Sequence, residues 1–323
     1  MTPVRIGTRG SALAVTQTTT VAEALAELGS FAVELVRIKT EGDILKGSLA
    51  QIGGTGVFVA ALREALLAET CDVAVHSLKD LPTWAEPGLS LASIPSRADY
   101  RDALCARDSL TLEALPIGAR VGTGSPRRAA QLRLARADLD VVDIRGNVGT
   151  RLNRVRGMSE GKIVDGKFGD LDAVVLAAAG LQRLGRLEVV TELLNPSIML
   201  PAPGQGALAV ECREADASSG TVASAMKEYD DAATRLCVTA ERSLLARLEA
   251  GCSAPIGALA QAKDGHLTLE AVVCSDDGKR SVRVSRTVDA ESHQVGQALS
   301  LGIAVAEQLL AEGAGELTSL PEA

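Results

Sequence analysis

The sequence predicts two α/β units followed by a smaller α+β module, on three observations. Short Val- and Ile-rich runs alternate with Ala- and Leu-rich helical runs over the first two thirds of the chain, an order that implies mainly parallel strand pairing. Beyond about Asp230 that alternation gives way to one long helix, three successive strand patterns and a closing helix. The length of 323 residues exceeds what one core usually organises.

In order, Val4–Thr8 reads as a strand, and Ser11 as the cap of a helix to about Leu28. Phe31 to Lys39 alternates as a strand, Thr40 to Gly56 is a polar, Gly-rich loop, and Val57 to Ala68 has helical periodicity. Cys71–His76 is a buried strand that ends at Ser77-Leu-Lys-Asp-Leu-Pro82. The second unit starts near Tyr100, with strands at Arg120–Thr123, Asp140–Ile144 and Asp172–Leu176, each followed by a helical segment. Gly157 to Asp170 is a charged, Gly-rich insertion, and Leu200-Pro-Ala-Pro-Gly-Gln-Gly206 breaks the chain before a strand at Ala207–Cys212. The last module runs from a helix through Ala250 to strands near Ile256–Ala262, Leu267–Cys274 and Ser281–Val288, then a helix from about Ser292 to Ala311.

Composition narrows the function. Aromatics are 2% of the chain, too few for base-stacking platforms, and a net charge of −8 opposes general polyanion binding, so nucleic acid is not an expected partner. The six cysteines show no CxxC and the three histidines are far apart, so no metal site is expected. No apolar run approaches a membrane span and no signal-type segment opens the chain; a cytoplasmic protein with free thiols is the expectation.

Three features carry chemistry. Glu249-Ala-Gly-Cys252-Ser-Ala-Pro-Ile-Gly257 sets a cysteine in a small-residue loop, uncrowded enough to carry a covalent group, whereas buried structural cysteines usually sit in apolar runs. Between Arg120 and Arg156 there are nine arginines, three aspartates and no lysine. Arg133, Arg136, Arg154 and Arg156 read as solvated helix faces, but Arg127, Arg128, Arg145 and Arg151 stand where strands end and helices begin. Gly122-Thr-Gly-Ser125-Pro-Arg-Arg128 places two arginines at a Ser-capped helix N-terminus, where arginine is unfavourable unless an anion arrives. Arg145-Gly-Asn-Val-Gly-Thr-Arg151 and Thr8-Arg9-Gly-Ser11 repeat that arrangement. In an open α/β sheet these are the carboxyl ends of strands, the usual ligand crevice, and arginine's fork matches carboxylate or phosphate. Asp80, at another strand end, is either a turn aspartate or an acid beside the cleft.

Taken together these segments resemble the porphobilinogen deaminase family of tetrapyrrole biosynthesis. The matching blocks are Arg5–Ser11, Val75–Pro82, Val121–Arg128, Arg145–Arg151, Ala179–Arg183, Leu200–Gly206 and Glu249–Gly257, in the family's order and spanning nearly the whole chain. The resemblance implies two periplasmic-binding-protein-like α/β domains, residues 1–96 with 201–224 and residues 97–200, and an α+β C-terminal domain of residues 225–323. It implies that Cys252 holds a dipyrromethane cofactor by a thioether and that Asp80 is the catalytic carboxylate. Lys79, Ser125, Arg127, Arg128, Arg145 and Gln205 are then the cofactor-binding set; Arg9, Ser11, Arg145, Arg151, Arg183 and Phe58 contact substrate. The implied reaction joins four porphobilinogens with loss of ammonia and releases hydroxymethylbilane, from a monomer able to hand its product to uroporphyrinogen III synthase.

Some positions depart from the family's pattern. Thr55 and Gln51 stand where lysines are common, so the Gly-rich loop carries less positive charge, and Cys237 stands where arginine is common. Two other classes stay open on the residues alone: a two-lobed anion-binding protein without catalysis, and a group transferase using Cys252 as nucleophile, for which no histidine offers an obvious base.

Overall fold

Side-chain caps set the starts of the helices at Ala12–Gly29, Pro126–Ala135, Val148–Leu152 and Ala232–Arg247. Ser11 accepts from the Ala14 amide at 3.3 Å, Asn147 from Thr150 at 2.8 Å and Asp231 from Thr234 at 2.7 Å. The computed structural model describes residues 2–38, 57–158, 169–250, 254–290 and 294–318. The chain runs β1 (Val4–Thr8), α1 (Ala12–Gly29), β2 (Val33–Arg37), α2 (Val57–Leu67), β3 (Val73–Ser77) and β4 (Leu89–Ser93). Next come β5 (Asp102–Ala106), β6 (Arg120–Thr123), α3 (Pro126–Ala135), β7 (Asp140–Asp143), α4 (Val148–Leu152), β8 (Ala173–Ala177), α5 (Ala178–Arg183) and β9 (Glu192–Leu193). The remainder is β10 (Leu208–Arg213), α6 (Gly220–Tyr229), α7 (Ala232–Arg247), β11 (Ile256–Lys263), β12 (His266–Cys274), β13 (Ser281–Asp289) and α8 (Val295–Ala311).

The first sheet has the order β2-β1-β3-β10-β4 and the second β7-β6-β8-β5-β9. The two orders are the same plan. In each, three strands pair in parallel, and a fourth, β10 or β5, runs antiparallel between two neighbours. The expectation of mainly parallel pairing is therefore corrected: half the pairings are antiparallel. The cause is that the fourth strand of each sheet enters from the far end of a crossover, β5 after residues 97–101 and β10 after residues 201–206. The third sheet, β11-β12-β13, is antiparallel throughout, and α7 and α8 pack on it around Leu244, Leu269, Val273, Val305 and Leu309. The architecture is thus two α/β domains with one strand plan and a smaller α+β C-terminal domain. The expected strand at Phe31–Lys39 is shorter, while β4, β5, β9 and α6 have no counterpart in the sequence reading.

The two crossovers lie side by side. Ala98 N–H donates to the Gly206 carbonyl at 3.3 Å, and Arg97 Nε to the Gln205 carbonyl at 2.8 Å. Gly206 has φ +90°, and a Cβ there would sit 2.6 Å from the Ala98 carbonyl oxygen, so only glycine fits. The C-terminal domain fastens this junction through Glu241 on α7, which is fully buried. Its carboxylate accepts from Arg97 Nη1 at 2.6 Å, the Gly204 amide at 2.6 Å and the Ala260 amide at 2.9 Å. Glu241→Gln leaves Arg97 buried without its counter-charge; a loss of about 3 kcal/mol in urea unfolding is expected, and a loss below about 1 kcal/mol would show that the junction is held by packing instead.

Candidate active site

Asp80 sits at the end of a one-turn 3-10 segment, Leu78–Asp80, that β3 runs into. Leu78 and Leu81 on either side are buried with Val59, Ile94, Ala207, Ala209 and Val238, and the Leu81 amide closes the turn onto the Leu78 carbonyl at 3.1 Å. Two buried anchors one turn apart leave Lys79 and Asp80 half-buried at the carboxyl end of the strand. Below the turn, Glu211 on β10 accepts from Arg63 at 2.8 and 3.1 Å and lies 3.1 Å from His76 Nε2. Burial opposes ionisation of Glu211, but His76 and Arg63 outweigh it and hold the carboxyl down to about 2.

Across the cleft, α3 begins with Ser125 as N-cap and Pro126 in its first turn, and then Arg127 and Arg128. Sequence reasoning assigns this helix start an incoming anion. The anion that faces it is Asp102, the first residue of β5 and completely buried. Arg127 Nη1 reaches Asp102 at 2.7 Å and the Leu200 carbonyl at 2.6 Å; Arg128 Nε reaches Asp102 at 2.9 Å. Gln205, 1% exposed, donates to Asp102 at 3.0 Å and to the Tyr100 carbonyl at 2.8 Å. Burial alone would raise the Asp102 carboxyl; Arg127 and Arg128 reverse this and hold it down to about 2. Arg128 itself is shifted below its ordinary value by burial, against the pull of Asp102.

The cationic group extends from this clamp. Arg151, half-buried, donates from Nε to the Gly146 carbonyl at 2.8 Å. Burial, Arg128 and Arg145 push it down to about 10, with Asp143 opposing. Arg145 reaches Asp143 only at 3.4 Å, and its buried Nε has no hydrogen-bond partner. Lys79 connects the two sides: Asp80 favours its charge most, yet burial together with Arg128 and Arg127 outweighs Asp80 and Asp102 and lowers its pKa. The turn bearing Asp80 thus shares one electrostatic environment with α3.

At the other edge Leu13 of α1 packs over Gly180 of α5, which sets the Ser11 cap beside the α5 start. Arg183 donates to the Gly206 carbonyl at 2.7 Å, with its pKa lowered by burial against Tyr229. Arg9, half-buried, follows β1 directly. Cys252, Gln51, Thr55, the Phe58 side chain and most of the Gly157–Asp170 stretch lie outside the described residues. Cys237 belongs to the C-terminal core, its thiol pushed up to about 11 by burial. Sequence reasoning missed Asp102, Glu211, Glu241 and Arg242. A charged residue opening the otherwise apolar run Asp102–Ala106 is the one signal that could have found the first. Among the described residues no group of His, Cys, Asp or Glu could hold a metal ion, and no helix is long and apolar enough to cross a membrane.

The family model for the porphobilinogen deaminase dipyromethane cofactor binding domain matches residues 4–221, and that for the porphobilinogen deaminase C-terminal domain matches residues 235–311. A porphobilinogen deaminase of Cutibacterium acnes is 53% identical over 99% of this chain and 98% of its own, and one of Micrococcus luteus is 51% identical over 97% and 94%. Among solved structures, a periplasmic substrate-binding protein of an ABC transporter from Coxiella burnetii aligns with TM-score 0.42 and 13% identity over 69% of this chain and 90% of that one. With both family models matched in order and such identity sustained over nearly the full length, this chain belongs to the porphobilinogen deaminase family.

Proposed function

We propose that this enzyme joins four porphobilinogens head to tail onto a dipyrromethane held by Cys252 and releases hydroxymethylbilane, with Asp80 as its catalytic carboxylate. The observation that carries the reading is Lys79, beside Asp80 at the end of β3, lying within reach of the charges of Arg127 and Arg128 from the opposite domain. The donor set fits the group. One buried carboxylate, Asp102, answers Arg127 and Arg128, while Arg145 keeps an unmet buried Nε and Arg151 is held below its ordinary pKa by burial and by its cationic neighbours. Such an excess of positive charge suits a chain of pyrroles that carries about a dozen carboxylates when complete, since guanidinia stay charged and bind carboxylate as a fork.

When bound, dipyrromethane would supply the free terminal pyrrole carbon that takes the first unit, each later unit joining the one added before it. Asp80 holds the proton required as the substrate amine departs as ammonia and, once ionised, faces the positive charge left on the substrate. Lys79, Arg145, Arg151, Arg183 and Arg9 take acetate and propionate side chains, with hydroxyls from Ser11 and Ser125. Arg127, Arg128 and Gln205 fix the cleft floor through Asp102. We place the enzyme, as a monomer, in the cytoplasm; the compartment is in keeping with the five free, buried cysteines among the described residues.

Intact mass of the denatured protein tests this directly. The expected excess equals two porphobilinogens less two ammonias, absent from Cys252→Ser. A chain that stays unmodified after incubation with porphobilinogen would sink the deaminase reading and favour a non-catalytic anion-binding protein.

A further inference from the structure

The carbonyls immediately after Asp80 are held from the C-terminal domain. Arg242 on α7 donates Nη1 to the Leu81 carbonyl at 2.9 Å and Nη2 to the Pro82 carbonyl at 2.6 Å. One guanidinium fork thus spans two successive carbonyls of the chain leaving the turn, a geometry that an ammonium cannot reproduce. Val238, one helical turn earlier on the same face of α7, packs into the cluster containing Leu78 and Leu81. Apolar contact and polar fork therefore grip the same turn from the same helix. Neighbouring Glu241 binds the crossover and β11, so α7 ties the Asp80 turn and the domain junction to one rigid element. Among the described residues the Arg242 side chain forms no ion pair with a carboxylate; burial lowers its pKa to about 10, with Glu211 opposing and Arg63 adding to the shift.

We infer that Arg242 is a positioning residue for Asp80, fixing the backbone of the catalytic turn to the helix that precedes Cys252 in the chain. This rests on the function proposed above, in which Asp80 must stay in register with groups carried by the other domains as the product lengthens. A displacement of about 1 Å at a reacting group costs on the order of a hundredfold in rate. The Arg242 fork lies on backbone carbonyls of the turn, so its loss should act on kcat and not on substrate affinity.

Arg242→Met and Arg242→Lys, purified as full-length protein, test the inference by steady-state kinetics beside intact mass and thermal melting. The expected result for Arg242→Met is a kcat lowered about 10- to 100-fold, KM within about twofold of wild type, and the same mass excess as wild type. Arg242→Lys, which restores one of the two bonds, should fall between Met and wild type in kcat. If Arg242→Met fails to fold, the Lys variant decides alone, and its kcat must fall with KM unchanged. A folded, fully loaded variant with wild-type kcat would overturn the inference, as would a loss confined to KM. Asp80→Asn assayed alongside separates this failure from failure of the underlying reading: if it too turned over normally, the function of Asp80 would be at fault.

Discussion

Asp80→Asn is expected to lower kcat by about a thousandfold while leaving the fold intact. Asparagine has the same shape and keeps a carbonyl acceptor, so the turn between Leu78 and Leu81 has no reason to move. It removes two things that the chemistry needs. A carboxyl group that can hold and release a proton contributes on the order of a hundred- to ten-thousandfold. A fixed negative charge opposite a developing cation contributes a further large factor, because the half-buried site screens it less than water would. Stability should change little: Asp80 is half-buried, and substitutions away from packed or fully paired positions stay within about 0.5 kcal/mol. Intact mass after mixing with porphobilinogen gives a second readout, with no gain expected over the time in which wild type completes its additions. A variant that makes product at near wild-type rate would remove Asp80 from the mechanism.

The parts of the site that were legible in the sequence are those made by local structure. Ser11, Ser125 and the Leu78–Asp80 turn are readable because cap, Pro and strand-end signals lie within a few residues of the groups they position. What the sequence could not show is which anion each arginine meets. Arg127 and Arg128 look alike whether they face a ligand or Asp102, which is 25 and 26 positions away. The same limit hides Glu241 and Arg242, neighbours on one helix, of which one joins three segments and the other holds the turn that bears Asp80. In the fold, the antiparallel direction of β10 and β5 escapes for a related reason. Their direction in the sheet is set by where the crossover enters, and no periodicity within the strand records that. Short β4, five residues of Leu, Ser and Ala, has neither β-branched residues nor a flanking turn strong enough to mark it.

Asp102 is where the stability of the cleft floor concentrates, and Asp102→Asn is expected to cost about 3–5 kcal/mol at neutral pH. Two contributions add. Linkage gives the smaller one: a carboxyl held down to about 2, against an ordinary value of 3.8, contributes about 2 kcal/mol of stability. Because the folded-state pKa is depressed, that contribution is fully present above about pH 4 and disappears as pH falls through 4 towards 2. The larger part is the penalty for Arg127 and Arg128, 3% and 6% exposed, which stay charged with no counter-ion at their centre. Two measurements check this. Urea unfolding at pH 7 should show the loss, and adding Arg128→Met to Asp102→Asn should recover part of it, since a buried charge left alone is worse than none. Between pH 4 and 2 wild type should lose stability more steeply than Asp102→Asn; Glu211, also held down to about 2, titrates in both proteins and cancels from the difference. A parallel acid dependence in the two proteins would mean that Asp102 does not carry the charge that the two arginines enclose, and the cleft floor would then have to be held by Gln205 and the backbone carbonyls of Leu200 and Val175.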